Sequence, residues 1–97
     1  MIEASGFTYM LASKRNGTLY IGSARDLVAR VHTHREGLME GFTRKYGVTR
    51  LVWWEGHESV AAAHKRETQI KRWRRAWKIE LIEAMNPEWR DLYEELW

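Results

Sequence analysis

Three segments of the chain have the apolar and aromatic pattern of β-strands, at residues 7–12, 18–22 and 48–55. Asn16-Gly17 lies between the first two segments, and this dipeptide is typical of hairpin turns, so these strands should pair antiparallel. The third segment is dense in β-branched and aromatic residues. The pattern predicts a small antiparallel sheet on which Tyr9 and Tyr20 can share one face.

The remaining apolar positions predict four helices, at residues 23 to about 35, 60–73, 74–85 and 88–95. Ser23 with Asp26 three residues later resembles the capping box that begins a helix, and Gly37 fits the end of that helix. Ser59 is a reasonable N-cap for the second helix. Pro87 ends the third helix, because the residue before proline disfavours helical dihedrals, and the last helix follows directly.

The order of these elements, β-β-α-β-α-α-α, predicts an α+β fold with a small three-stranded antiparallel sheet flanked by helices. Residues 38–47 contain Gly41 and Gly47 among basic and aromatic residues, and we predict a loop there. At 97 residues the chain should form a single domain, residues 1–97.

Composition narrows the class of protein without fixing its function. With 44% hydrophobic and 30% charged residues, the chain is expected to fold rather than to be disordered. It has no signal-peptide pattern and no apolar run of the roughly 20 residues that span a bilayer, so we expect a cytoplasmic protein away from membranes. The formal net charge of +3 permits a nucleic-acid partner but does not require one.

Glu67 is the carboxylate whose position most needs an explanation. Helical spacing places it on the same side as Val60, Ala63 and Ile70, where a bare charge is costly to bury. One carboxylate with several water ligands is a typical way to hold Mg²⁺ on a phosphate substrate. A structural salt bridge, for instance to Arg30, explains the position equally well, and the pattern leaves both interpretations open.

Arg30 and His34 are four residues apart, so they should be neighbours on one helical face. The planar guanidinium of an arginine there can hold a phosphate, and the histidine can bind a phosphate oxygen or assist proton transfer. Polar side chains bordering a core explain the same pair without any function. Tyr9 and Tyr20 are also compatible with a purely structural role, since a phenol with a pKa near ~10 is a poor base in water.

Positive charge is concentrated in residues 64–78. Most charged helical surfaces are simply solvated, but these residues and the basic pair in the predicted loop are the candidate contacts to a nucleic-acid backbone. The candidates are Arg44, Lys45, Lys71, Arg72 and Arg75. Trp73 and Trp77, also four residues apart, are predicted to pack in the core rather than to stack on bases.

The ordered set of these residues resembles the GIY-YIG nuclease superfamily, in particular its small stand-alone bacterial members. The resemblance extends from residue 7 to about residue 89. Tyr20-Ile21-Gly22 matches the second motif in full, whereas Thr8-Tyr9-Met10 keeps the tyrosine of the first. Residues 23–34 and 64–71 resemble the helices that carry the family's catalytic arginine and its metal-binding glutamate.

The resemblance implies hydrolysis of DNA phosphodiesters with Mg²⁺ or Mn²⁺ as cofactor. It places Arg30 at the catalytic arginine, His34 one turn later, and Glu67 at the metal ligand. Tyr20 is then the leading candidate for the general base, with Tyr9 hydrogen-bonded in the same cluster. One metal per domain suggests a monomer or weak homodimer that makes single nicks, with structure-directed or weak specificity.

Two other functions compete with the nuclease. The first is a catalytically weak or inactive nucleic-acid-binding module of the same fold. The second is an interaction protein that uses its tryptophan-rich surface. Many members of the family also have a late asparagine in the site, but Asn86 lies far beyond Glu67 and is assigned no role.

Overall fold

The computed structural model describes residues 3–37 and 41–96. Its elements are β1 (Gly6–Ala12), β2 (Leu19–Ala24), α1 (Leu27–Arg35), α2 (Phe42–Tyr46), β3 (Arg50–His57), α3 (Val60–Lys71), α4 (Arg75–Met85) and a 3₁₀ turn (Tyr93–Leu96). The strands form one antiparallel sheet in the order β2-β1-β3. The predicted α+β fold with a three-stranded antiparallel sheet is therefore confirmed. In the described ranges, no helix is long and apolar enough to cross a membrane.

Helices cover both faces of this sheet, because successive side chains of β1 point in opposite directions. One core joins β1 to α1 and the 3₁₀ turn, and it contains Phe7, Tyr9, Leu11, Leu27, Val31 and Leu96. The other core joins the sheet to α3 and α4, and it contains Met10, Ile21, Val52, Ile70 and Ile82. Because β2 is an edge strand, side chains from α1 and from α3 can both reach it.

The first helix begins later than the sequence suggested. Ser23 is not its N-cap: β2 continues to Ala24, and Ser23 pairs with Thr8 of β1. Asp26 is the N-cap, and its carboxylate accepts a hydrogen bond of 3.1 Å from the backbone N–H of Ala29. The capping pattern was present, but pairing with β1 holds Ser23 in the extended conformation. The predicted stop at Gly37 agrees with its φ of 67°.

The prediction of a loop over residues 38–47 was wrong for the part that the structure describes. Phe42–Tyr46 form the short helix α2, and residues 38–40 lie outside the described residues. Gly41 is the N-cap of this helix, and Gly47 ends it in the left-handed conformation at φ 62°. The two glycines that indicated a loop are therefore the two boundaries of a one-turn helix.

The C-terminal part also differs from the predicted helix over residues 88–95, since only Tyr93–Leu96 form a 3₁₀ turn. Trp89 adopts a φ of 55°, which no right-handed helix can include. The fully buried Asn86 side chain replaces helical hydrogen bonds here. Its amide donates to the carbonyls of Val52 and Arg90, and its oxygen accepts from the N–H of Arg90. Asn86 thus ties the C-terminal segment to β3.

Replacing Asn86 by alanine should therefore destabilise the fold. The change leaves the Val52 carbonyl and the Arg90 N–H without their partners, and we expect the free energy of unfolding to fall by about 2–3 kcal/mol. Urea denaturation measures the loss, with the exposed Gln69→Ala as the matched control. A loss no larger than that of the control would contradict the structural role of Asn86.

Candidate active site

The two tyrosines lie on the face of the sheet that α1 covers. Tyr9 pairs with Gly22 across the strands and Leu11 pairs with Tyr20, so the tyrosines are diagonal neighbours. Their ring centroids are 6.2 Å apart. A Cβ atom at Gly22 would lie 2.6 Å from the Tyr9 hydroxyl oxygen and 3.0 Å from the Tyr20 ring. The glycine is therefore needed because the rings occupy the space of its missing side chain.

His34 reaches this pair from α1 and is almost fully buried. Its Nε2 lies 3.1 Å from the Tyr9 hydroxyl, and its Nδ1 lies 3.1 Å from the hydroxyl of Thr43 in α2. The His34 ring centroid is 5.1 Å from that of Tyr20. Both nitrogens of His34 are thus engaged inside the protein, and the ring holds the tyrosines in place. Thr43 was not predicted as a site residue, because its segment was predicted to be a loop.

Ser23 connects the arginine of α1 with the glutamate of α3. Arg30 donates from Nη1 to the Ser23 carbonyl over 3.3 Å. The Ser23 hydroxyl donates to Glu67 Oε1 over 2.6 Å. The two charged side chains come from opposite faces of the sheet and meet at the edge strand β2. Arg30 also interacts with the Tyr9 hydroxyl. The structure therefore brings together all five residues predicted for the site: Tyr9, Tyr20, Arg30, His34 and Glu67.

Glu67 is a buried carboxylate whose charge is balanced by a lysine. Burial alone would raise the pKa of Glu67, but hydrogen bonds from Lys71 and Ser23 outweigh it and hold this pKa below its ordinary value. Lys71 Nζ lies 2.5 Å from Oε2. The salt bridge that the sequence suggested is therefore present, with Lys71 rather than Arg30. Lys71 was predicted to contact nucleic acid, and its ammonium group instead faces the carboxylate.

Tyr9 is unsuited to be a base. Burial raises its pKa well above the ordinary value, and the nearby Tyr20 adds to this rise. The Arg30 guanidinium acts in the opposite direction, but its effect is smaller. Arg30 therefore lowers the pKa of Tyr9, but not enough to offset burial. Tyr9 stays a neutral phenol at physiological pH, while Tyr20 is the less buried of the two.

A divalent cation fits the site through a single protein ligand. In residues 3–37 and 41–96, no group of three or more His, Asp or Glu side chains could hold a metal ion together. The ionised Glu67 carboxylate nevertheless offers hard oxygen atoms, and Ser23 connects it to Arg30. Mg²⁺ often binds proteins through one or two carboxylates and completes its shell with water and substrate phosphate. Glu67 is the residue that would hold it.

Of the other predicted nucleic-acid contacts, three are exposed cations and one, Arg75, is bound to the hairpin turn. Arg44 and Lys45 are exposed on α2, next to Thr43 and hence close to His34. Arg72 is exposed just after α3. Arg75 donates to the backbone carbonyls of Asn16 and Gly17, and thus holds the hairpin turn against α4.

The tryptophans do not both belong to the core. Trp73 is partly buried against the second core, but Trp77 is 47% exposed, so the prediction of core packing was wrong for Trp77. Ile82 marks the side of α4 that faces the sheet. Trp77 precedes Ile82 by five positions, and at 100° per residue it is rotated away from that side by about 140°.

Stability should depend on pH because of His34. Burial lowers the pKa of His34, and the Arg30 charge adds to this shift. In the unfolded chain His34 binds a proton near pH 6.5, whereas in the folded chain it binds one only at lower pH. The free energy of unfolding therefore decreases as the pH falls below about 6.5. Urea unfolding at pH 7.5 and pH 5.5 should show less stability at the lower pH. His34→Gln should reduce this dependence, whereas the exposed His32→Gln should keep it. An equal loss of stability between pH 7.5 and pH 5.5 in wild type, His34→Gln and His32→Gln would show that His34 does not cause the pH dependence.

The chain is similar to one family of catalytic domains and to small bacterial proteins. Residues 5–80 match the family model of the GIY-YIG catalytic domain. The chain is also similar to the UPF0213 proteins of Staphylococcus aureus strains Mu3, Mu50 and N315. Each is 37% identical over 78 residues, which cover 80% of this chain and 94% of the relative. No solved structure matches the chain.

Proposed function

Because this chain belongs to the GIY-YIG nuclease family, we propose that it is a divalent-metal-dependent endonuclease that hydrolyses DNA phosphodiester bonds. The observation that carries the proposal is the junction at Ser23, which connects Arg30 and Glu67 on β2, the strand that also carries Tyr20. Packing alone does not require a phosphate-binding cation and an ionised carboxylate to meet at one sheet edge. We propose structure-directed or weak specificity, and a cytoplasmic monomer or weak homodimer that makes single nicks.

Each side chain has a role that follows from its surroundings. Tyr20, less buried than Tyr9, accepts a proton from the attacking water. Tyr9 remains neutral and, with His34, positions the Tyr20 ring. Arg30 stabilises the negative charge that develops on the phosphate. Glu67 binds Mg²⁺ or Mn²⁺, which when bound supplies positive charge for the leaving oxygen.

One observation favours a second candidate function. The ammonium group of Lys71 faces the Glu67 carboxylate, and a cation in that place balances the buried charge without any metal. A chain in which the lysine remains there would bind DNA but cleave it slowly or not at all. The alternative is therefore a catalytically weak or inactive nucleic-acid-binding module of the same fold.

Cleavage assays separate the two functions. The purified chain is incubated with nicked, branched and single-stranded DNA in Mg²⁺, in Mn²⁺ and in EDTA. The nuclease predicts cleavage that requires metal and that falls strongly in Arg30→Ala, with Arg15→Ala, an exposed arginine in the hairpin turn, as the control. Salt-sensitive DNA binding without cleavage in any of these conditions would establish the binding module instead.

Lys71 should compete with the metal for Glu67. Replacing Lys71 by methionine keeps the aliphatic chain but removes the charge next to Oε2. We expect Mn²⁺ to bind about tenfold more tightly, since unit charges at such distances near a surface interact by a few kcal/mol at most. Electron paramagnetic resonance of free Mn²⁺ measures the affinity, with Lys78→Met as the control. Unchanged or weaker binding by Lys71→Met would contradict the competition.

A further inference from the structure

We propose that Trp73 and Trp77, with the arginines that lie over their rings, form a platform that binds single-stranded DNA by stacking on its bases. We call this surface the tryptophan platform: Arg66, Trp73, Arg74 and Trp77. The inference deepens the proposed function, because it assigns a single-stranded segment to the substrate.

The four side chains form one continuous surface. The two indole rings are 6.2 Å apart and nearly perpendicular, at 79°. The Arg66 guanidinium lies 5.2 Å above the Trp73 ring, and that of Arg74 lies 4.8 Å above the Trp77 ring. Trp77 is 47% exposed, although it is among the largest apolar side chains of the chain. Aromatic rings interleaved with arginines are what single-stranded nucleic acids bind, since every base has a π-face that can stack.

Two grooves that share Trp73 match the base and the phosphate of a nucleotide. The first is mainly apolar, with Trp77, Leu81 and Ala84 in its walls and one carboxylate, Glu80. The second is also mainly apolar in its walls, but two cations, Lys65 and Arg72, line it together with Thr68, Gln69 and Trp73. A base placed in the first groove leaves its phosphate near the cations of the second. A duplex does not offer this match, because its base faces are hidden by stacking.

Arg66 of the tryptophan platform lies on the same helix as Glu67 but on another side of it, whereas Trp73 follows that helix and Trp77 belongs to α4. Glu67 faces Ser23 on β2, whereas Arg66 forms a salt bridge with Glu55 on β3, 3.0 Å away. Lys65 on α3 and Arg72 directly after this helix are exposed. A strand that leaves the candidate active site can therefore cross α3 over these two cations and reach Trp73. The arrangement selects DNA in which a single-stranded segment is attached to the cleaved site.

Binding experiments without metal test the tryptophan platform. Fluorescence anisotropy is measured in EDTA with a labelled oligothymidylate and with an abasic oligomer of the same length and charge. Wild type should bind the oligothymidylate about tenfold more tightly than the abasic oligomer, within the range known for base–aromatic stacking. Trp77→Ala should lose this preference and Trp77→Phe should keep most of it. Met85→Ala, which removes another exposed apolar side chain of α4 outside the grooves, should match wild type.

The outcomes are distinct. Equal affinity of wild type for the two oligomers overturns the proposal without any variant, since stacking then contributes nothing. An unchanged preference in Trp77→Ala overturns it as well. If sedimentation velocity shows a wild-type dimer that Trp77→Ala dissociates, while oligothymidylate binding is unaffected, the surface is a protein interface. The measurement does not depend on cleavage, so it tests the tryptophan platform separately from the proposed nuclease activity. A chain that never cleaves DNA can show the preference for bases, and an active nuclease can lack it.

Discussion

Replacing Glu67 by glutamine should lower metal-dependent DNA cleavage by about a thousandfold, the upper range for loss of one electrostatic stabiliser. Glutamine has the shape of glutamate, and its oxygen can still accept the hydrogen bond from Ser23. What it lacks is the negative charge, which is present in the wild type because Lys71 and Ser23 hold the pKa of Glu67 below its ordinary value. Mn²⁺ affinity should fall together with the cleavage rate.

Single-turnover cleavage with enzyme in excess isolates this effect from product release. The control is Glu58→Gln, an exposed carboxylate in the turn before α3, which should cleave at the wild-type rate. The free energy of unfolding should change by no more than about 1 kcal/mol, because a partly exposed ion pair contributes little. Cleavage by Glu67→Gln at the rate of Glu58→Gln would remove Glu67 from the mechanism.

The two tyrosines should differ in kinetics and in stability. Tyr20→Phe should lower the single-turnover rate by about 10²–10⁴, the usual effect of losing a general base, with little change in stability. Tyr9→Phe should lower the rate less, because Tyr9 acts through His34. It should instead reduce the free energy of unfolding by about 1–3 kcal/mol, since His34 Nε2 loses its buried partner.

Both quantities are measured on the same two variants, by single-turnover cleavage and by urea denaturation. Each variant serves as the control of the other, because both lose one hydroxyl from the same side of the sheet. A larger kinetic loss in Tyr9→Phe than in Tyr20→Phe would reverse the two roles. Such a result would mean that bound metal or substrate overcomes the burial that raises the pKa of Tyr9.

Much of the fold could be predicted because local signals and packing agree in most of the chain. The Asn16-Gly17 turn fixes the hairpin, and the apolar spacing fixes α3 and α4. The predictions were wrong at positions where a tertiary contact determines the backbone conformation. Ser23 is a typical helix-capping residue, but it pairs with Thr8 in the sheet. Near Trp89, hydrogen bonds from the buried Asn86 side chain hold the backbone in a non-helical conformation.

The candidate site shows the same limit. Its five predicted residues are separated by up to 58 positions, Tyr9 to Glu67, and the family resemblance brought them together where spacing alone could not. The residues that connect them were missed. Thr43 and Ser23 act through one hydroxyl each, and nothing in the sequence distinguishes such a hydroxyl from others on the surface. Lys71 is four positions after Glu67, a spacing typical of helical ion pairs, although it was predicted to contact nucleic acid.

Diffraction from crystals grown with Mn²⁺ and a short DNA tests the central claim most directly, because it locates the metal and the phosphate together. Anomalous scattering should show Mn²⁺ bound to the Glu67 carboxylate, with Lys71 displaced. A DNA phosphate should lie between the metal and Arg30. Mn²⁺ bound elsewhere, with Lys71 still paired to Glu67 and no phosphate at Arg30, would contradict a nuclease centre at this site.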